Sequence, residues 1–228
     1  MKKLILIIIT CLCITISNIP VMAESNSDIV FLRGNECEKK IALTFDDGPH
    51  PRYTDKILDI LAKYNVKATF FVIGVNIENY PQPLKRIKEE GHEIGNHSYD
   101  HSNEKNIDSA CAEAEISRCE ELIYNSVGIT PSLFRPPQGQ YSKDVEQVAQ
   151  SKNYSIILWS IDTRDWEHNS ATNIMNTVAK NIKGGDIILM HDYVSGKNTT
   201  CEALELIIPS LLAQGYEFVT VSELIRSK

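Results

Sequence analysis

Seven apolar stretches, each short enough to be a buried strand, alternate along the chain with longer segments of helical period. Such alternation is typical of a parallel sheet covered by helices, because both faces of its strands are buried. The predicted strands cover residues 40–45, 68–73, 92–97, 133–135, 155–161, 186–190 and 217–221. The predicted helices cover residues 53–64, 83–90, 108–125, 142–151, 171–182 and 200–213, with Ser142 as an expected cap. The sequence therefore predicts an α/β fold.

Unusual polar residues stand at the carboxyl ends of five of these seven strands. They are Asp46 and Asp47, His97, Arg135, the segment 162–166, and His191 with Asp192. In a closed barrel, functional residues gather at the carboxyl ends of many strands. An open doubly wound sheet, which is the alternative, places its site near a switch point. Five separate strand ends favour a barrel of about seven parallel strands.

The first residues differ in character from the rest of the chain. Two lysines precede an apolar run over 4–16, and the small residues Val21 and Ala23 stand just before a cleavage point after Ala23. This pattern predicts a secretory signal peptide over 1–23. An uncleaved anchor is the alternative, although a full span needs about 20 apolar residues and a polar pair at 17–18 interrupts this run.

The remaining chain is expected to form one domain. Residues 24–37 are polar and mixed, which predicts a tail that leads into a domain over 38–228. The formal net charge of −7 argues against nucleic acid or an anionic membrane as a partner. We expect a monomer that is secreted, either free outside the cell or associated with the cell wall, with no membrane contact beyond the leader.

Export would permit disulfides among Cys37, Cys111, Cys119 and Cys201. Cys111 and Cys119 share one predicted helix, where eight residues separate them by about 12 Å, too far for a mutual bond. Cys201 could pair with either, so the sequence leaves the pairing open. Their spacing matches no zinc motif.

Two adjacent carboxylates, Asp46 and Asp47, follow the first strand. Neighbouring strand residues point to opposite faces, so both reach one site only if the strand twists at its end. Close like charges are costly unless a cation or a proton relieves them; a solvated acidic turn is the alternative. His97 and His101 face the same way if 97–101 begins a helical turn. Two histidines and a carboxylate are a common ligand set for zinc or a similar ion.

Five motifs resemble, in order, those of the polysaccharide deacetylases, which are carbohydrate esterase family four or the NodB-homology domain. They are Thr44-Phe45-Asp46-Asp47-Gly48-Pro49, His97-Ser98-x-x-His101, Arg135-Pro136-Pro137, Asp162-x-x-Asp165-Trp166 and Leu189-x-His191. Each motif alone is weak, but five in order are specific, and they span about residues 38–224. The resemblance implies a distorted (β/α) barrel. It also implies removal of N-acetyl groups from GlcNAc-type sugars of peptidoglycan or a chitin-like polymer.

The resemblance assigns a role to each motif residue. Asp47, His97 and His101 would hold a divalent metal ion, with zinc as the default and cobalt or manganese as alternatives. Asp46 would be the general base and Arg135 would hold it in place. His191 would be the general acid, and Asp165 would orient it or raise its pKa.

Substrate contacts follow from the same motifs. A backbone N–H after Pro137 would stabilise the oxyanion, while Leu189 and Trp166 would shape the acetyl pocket and groove, unless they are core residues. Gln138 departs from the family pattern, which has Tyr or, in a subgroup that acts on muramic-acid residues, Arg. Its side chain would face the sugar, so substrate preference stays open. An O-acetyl (xylan-type) esterase and a non-catalytic carbohydrate-binding protein are the rival functions.

Overall fold

The computed structural model describes residues 29–102, 105–196 and 198–226. Among these residues, no helix is both long and apolar enough to span a bilayer. The predicted signal peptide over 1–23 lies outside the described residues.

The elements alternate as the apolar pattern predicts. The strands are β1 (Val30–Phe31), β2 (Lys40–Gly48), β3 (Thr69–Val72), β4 (Glu93–Asn96), β5 (Leu133–Phe134), β6 (Ser155–Ile157), β7 (Ile161–Asp162), β8 (Ile187–His191) and β9 (Glu217–Phe218). The helices are α1 (Tyr53–Tyr64), α2 (Gly74–Asn79), α3 (Pro81–Glu89), α4 (Ser109–Val127), α5 (Lys143–Ser151), α6 (Ala171–Asn181), α7 (Thr200–Ala213) and α8 (Val221–Arg226), with 3-10 turns at Pro137–Gly139 and Asp165–Glu167. Each of the seven predicted strands overlaps an observed one.

All strand pairs within the sheet are parallel, in the order β1-β6-β5-β4-β3-β2-β8-β7, and β9 pairs with the start of β2. The sheet curls into a half-barrel with helices outside, which confirms the predicted distorted (β/α) barrel. Among the described residues no ladder joins β7 to β1. The barrel is therefore open between these two strands.

Two local differences from the sequence prediction have clear causes. The predicted strand over 155–161 is two strands, because the chain changes partner: Leu158 N–H donates to Phe31, whereas Ser160 N–H donates to Ile187. The segment 24–37, predicted as a tail, contributes β1 at its middle. Only two residues pair there, which is too short a run to be recognised from the sequence alone.

Strand β2 divides its side chains between two compartments. Ile41, Leu43 and Phe45 are fully buried in the main core with the helices, while Ala42 belongs to the smaller cluster with Phe71 and Ile187. Because side chains alternate along a strand, Thr44 and Asp46 follow Ala42 toward the barrel interior. The predicted cap is confirmed, since the Ser142 hydroxyl accepts from Val145 N–H at 3.2 Å.

Candidate active site

The two aspartates separate at the end of β2. Asp46 keeps the strand register opposite Phe71, but the register shifts before Gly48, and Asp47 takes a left-handed conformation with φ of 73°. The side chain of Asn76 donates to the Asp47 carbonyl at 2.8 Å and holds this bend. Both aspartates line the same cleft, so the chain twists at the strand end as expected.

The two histidines lie on a loop rather than on a helical turn. Ser98 and His101 have positive φ values of 65° and 63°, so the helical turn considered for 97–101 does not form. Side chains supply the missing backbone partners: the Asn96 amide oxygen accepts from Ser98 N–H at 2.9 Å. The Glu115 carboxylate on α4 accepts from the N–H groups of Tyr99 and Asp100, both at 3.1 Å.

Asp47, His97 and His101 nevertheless converge, and one ligand atom from each lies within 4.8 Å of the others. Asp47 Oδ1 lies 3.6 Å from His97 Nε2 and 3.4 Å from His101 Nε2. That oxygen is buried and has no hydrogen-bond partner among the described residues. A buried orphan acceptor beside two imidazole nitrogens fits a cation.

His97 is prepared to act as a ligand. Its Nδ1–H donates to the Arg135 carbonyl at 2.6 Å, which leaves the lone pair of Nε2 facing Asp47. Such a hydrogen bond from the second ring nitrogen fixes the tautomer and orientation of metal-binding histidines. Burial lowers the pKa of His97, so the ring is held in its neutral, ligating form.

Asp46 is fixed from below by Arg135. The arginine is fully buried in the barrel and donates to Asp46 Oδ1 at 2.7 Å and to the Thr44 hydroxyl at 2.8 Å. The carbonyls of Ile157 and Leu158 accept from its Nε–H and from an Nη2–H, both at 3.1 Å. Each guanidinium nitrogen of this buried ion pair has a hydrogen-bond partner, which makes the arginine rigid and fixes the Oδ1 side of the Asp46 carboxylate.

His191 and Asp165 form a second hydrogen-bonded ion pair at the cleft. His191 Nδ1–H donates to Asp165 Oδ1 at 2.7 Å, and His191 N–H donates to Asp165 Oδ2 at 2.8 Å. Asp165 is fully buried and also accepts from Trp166 N–H and the Thr200 hydroxyl. Burial by itself lowers the pKa of His191, but the hydrogen bond and charge of Asp165, with Asp46 and Asp47, raise it to about 9.

These groups surround a cleft of about 430 Å³. Its lining residues are Asp46, Asp47, His97, His101, Gln138, Trp159, Asp162, Trp166, Leu189 and His191. Trp166 is 47% exposed, so it is not a core residue, whereas Leu189 is 3% exposed and still borders the cleft. Arg135 and Asp165 act from behind the cleft. Pro137 is buried under its rim, where Gln138 has a φ of 59°.

Sequence reasoning missed Trp159 and noticed Asp192 at a strand end without giving it a role. Trp159 borders the cleft between β6 and β7, and its ring packs so closely on Gly139 that a Cβ there would lie 2.6 Å from it. Trp159 lies within the apolar run predicted as one strand over 155–161, so the sequence did not distinguish it from a core residue. Asp192 does not cap a helix; it lies fully buried against Gly48 and accepts from the Thr54 hydroxyl. Burial raises the pKa of Asp192 to about 7.

The fold and the site together define a class of protein. A curled barrel of parallel strands carries an Asp-His-His set, a buried aspartate–arginine pair and an aspartate–histidine pair around one cleft. This combination is that of a barrel hydrolase with a candidate metal centre.

Comparison with known proteins specifies the family. The family model described as polysaccharide deacetylase matches residues 33–157. A peptidoglycan-N-acetylglucosamine deacetylase of Bacillus cereus is 44% identical over 193 residues, covering 84% of this chain and 90% of the relative. The chain belongs to the polysaccharide deacetylase family, as the motifs predict, and is a hydrolase of the N-deacetylase class.

Solved structures agree with this assignment. The Bc1960 peptidoglycan N-acetylglucosamine deacetylase superimposes with a TM-score of 0.85 at 39% identity, covering 87% of this chain and 93% of the other. A family 4 acetyl xylan esterase from Clostridium thermocellum, solved with a cobalt ion, gives a TM-score of 0.75 at 37% identity, covering 81% and 89%.

Proposed function

We propose that this chain is an exported, metal-dependent deacetylase that removes N-acetyl groups from GlcNAc-type sugars of peptidoglycan. The observation that carries the proposal is the convergence of Asp47, His97 and His101 beside the ionic pair of Asp46 with Arg135. The named activity of the Bacillus cereus relative, which this chain nearly spans, supports peptidoglycan over a chitin-like polymer.

Asp47, His97 and His101 would hold the divalent ion. A bound ion of this kind polarises the acetyl carbonyl and acidifies water. Two imidazoles and one carboxylate suit zinc, and cobalt or manganese would fit the same donors. The esterase structure that contains cobalt supports a divalent ion in this fold.

Two acid–base groups of this chain would divide the proton transfers. Asp46, held by Arg135, takes a proton from the attacking water as the new C–O bond forms at the acetyl carbon. His191, protonated because Asp165, with Asp46 and Asp47, raises its pKa to about 9, gives a proton to the sugar nitrogen as the C–N bond breaks. The products are acetate and a free amine.

The cleft walls would hold the sugar and the acetyl group. Trp166 and Leu189 offer an aromatic face and an apolar edge, and Gln138 faces the cleft. The backbone N–H of Gln138, next to Pro137, would stabilise the oxyanion. Gln138 would set the substrate preference, because its amide presents neither an aromatic ring nor a charge.

The cellular setting is part of the proposal. A leader over 1–23 ahead of a domain over 38–228 would carry the protein out of the cell, where it works as a monomer on the cell wall. The site is then on the same side of the membrane as its polymer.

An acetate-release panel tests the proposal. The mature protein is assayed with zinc on GlcNAc oligomers, peptidoglycan and acetylated xylan. Acetate from peptidoglycan and the oligomers is expected. Acetate from xylan alone would indicate an O-acetyl esterase, which the Clostridium thermocellum structure favours as the second candidate. Tight glycan binding without acetate under zinc, cobalt or manganese would indicate a non-catalytic binding protein.

A further inference from the structure

Four aromatic rings cluster beside the catalytic cleft without lining it. The His50 ring stacks on Tyr193 at 4.8 Å and 9°, and on Tyr53 at 4.9 Å and 30°. Tyr80 approaches His50 at 6.4 Å with a tilt of 48°. We name these four residues, His50, Tyr53, Tyr80 and Tyr193, the aromatic platform.

The platform lies at the same barrel edge as the catalytic residues. His50 follows Asp47 by three residues and Tyr193 follows His191 by two. At no more than about 3.6 Å per residue, their Cα atoms lie within about 11 Å and about 7 Å of those cleft residues. Tyr80 directly follows α2. Backbone N–H groups in the first turn of α2 donate to the carbonyls of Ser98 and Tyr99 in the His97–His101 loop.

The platform is rigid, yet two of its rings meet solvent. His50 Nδ1 accepts from the N–H groups of Arg52 and Tyr53 at 3.2 Å, and His50 N–H donates to the Thr54 hydroxyl at 2.7 Å. Tyr80 remains 41% exposed and Tyr193 40% exposed. A fixed, exposed aromatic surface is costly in water, and such patches mark binding sites.

The distribution of exposed aromatics across the described residues strengthens this reading. Four large aromatic side chains are prominently exposed: Tyr80, Tyr124, Trp166 and Tyr193. Trp166 and Tyr193 follow strand ends at the catalytic edge, and Tyr80 follows α2, which is bonded to the His97–His101 loop at that edge. Tyr124, on α4, lies elsewhere. Single exposed apolar residues are ordinary, but this concentration at one edge points to a shared ligand.

We propose that the aromatic platform is a sugar-binding subsite that takes a ring of the glycan strand outside the catalytic cleft. The inference rests on the proposed function, because a polymer that crosses the cleft must continue over one of its rims. Sugar rings carry apolar C–H faces that pack against aromatic rings. The platform would therefore make the enzyme prefer long chains over short ones.

The test compares substrate lengths in two truncation variants. Tyr193→Ala and Tyr80→Ala are assayed for acetate release from the GlcNAc dimer and hexamer. Each variant should raise KM for the hexamer about tenfold, with kcat little changed, and the loss should be much larger for the hexamer than for the dimer. Tyr193→Phe, which keeps the ring, should behave like wild type. Tyr124→Ala is the matched control and should change nothing.

Binding separates failure of the platform from failure of the proposed function. Hexamer binding to the metal-stripped protein is measured by calorimetry for wild type and both variants. Acetate release by wild type with equal hexamer KM and binding in all proteins overturns the platform alone. Absence of acetate from wild type on peptidoglycan as well as on the oligomers overturns the proposed function, and hexamer binding that still depends on Tyr193 then supports the platform. Conversion of a dimer to a monomer by Tyr193→Ala, with unchanged glycan binding, also overturns it.

Discussion

Replacing Asp165 by Asn should disable the proposed general acid, His191, without touching the proposed metal ligands. Asp165 accepts four hydrogen bonds, two of them from His191. Asparagine offers one acceptor oxygen and no charge. The variant therefore loses the interaction that stabilises the imidazolium, while Asp47, His97 and His101 keep their partners.

The structure gives the size of the effect. Raising the pKa of His191 from 6.5 to about 9 corresponds to about 3 kcal/mol of preference for the charged ring. Without Asp165 the pKa of His191 should fall to about 6.5 or below. At pH 8 most of the wild-type ring is protonated, but only a few per cent in the variant, so kcat/KM should fall about 30-fold.

The assay is the pH profile of kcat/KM for acetate release from a GlcNAc oligomer. The alkaline limb should lie near pH 9 in wild type and move down by about two pH units or more in Asp165→Asn. Thr200→Val is the matched control, because it removes one hydrogen bond to Asp165 and keeps the charge. Its alkaline limb should stay near that of wild type.

The free energy of unfolding should also depend on pH through the protonation of His191. The folded pKa of His191 lies above the unfolded value, so this contribution is fully present below about pH 6.5 and disappears as pH rises through about 9. The unfolding free energies of wild type and Asp165→Asn should therefore converge at alkaline pH. An unchanged alkaline limb in a folded Asp165→Asn protein would refute the assignment of His191 as the general acid.

Three further predictions concern the base, the metal and its loop. Asp46→Asn should keep the metal, measured by elemental analysis, yet abolish acetate release; retained turnover would mean that the base is misassigned. A chelator should abolish acetate release and added zinc should restore it, whereas His101→Ala should prevent recovery; full activity after verified metal removal would contradict the metal site. Glu115→Ala should weaken zinc binding about 10- to 100-fold in a competition titration, because Glu115 holds two N–H groups of the histidine loop. Glu113→Ala, exposed on the same helix, is the control, and equal affinities in both variants would exclude Glu115 as a positioning residue.

The sequence predicted most of the strands and helices but not the shortest ones or the break within one predicted strand. The strands were recognisable because their residues are buried on both faces and read as apolar runs. Helix α2 and strand β1 were missed, since six and two residues carry too little periodicity. The break between β6 and β7 was also invisible, because Leu158 and Trp159 are as apolar as a strand interior while their backbone changes partner.

For the site, the sequence predicted the reactive residues but not how the backbone arranges them. Residue types and motif spacing predicted which side chains could bind a metal and move protons. They suggested a helical turn for 97–101, because spacing alone cannot reveal that Asn96 and Glu115 hold this loop in left-handed turns. They also gave no sign that Trp159 enters the cleft or that Asp192 lies beneath Gly48.

By itself, the sequence determined the alternating α/β pattern, the inventory of reactive groups and the family, because these are encoded in local composition and spacing. The tertiary structure alone decided how Arg135, 89 residues from Asp46 along the chain, is buried and bonded beneath it, and that four aromatic rings meet beside the cleft. Such contacts depend on sheet register and barrel curvature. These are set by the packing of the whole core, and no short segment specifies them.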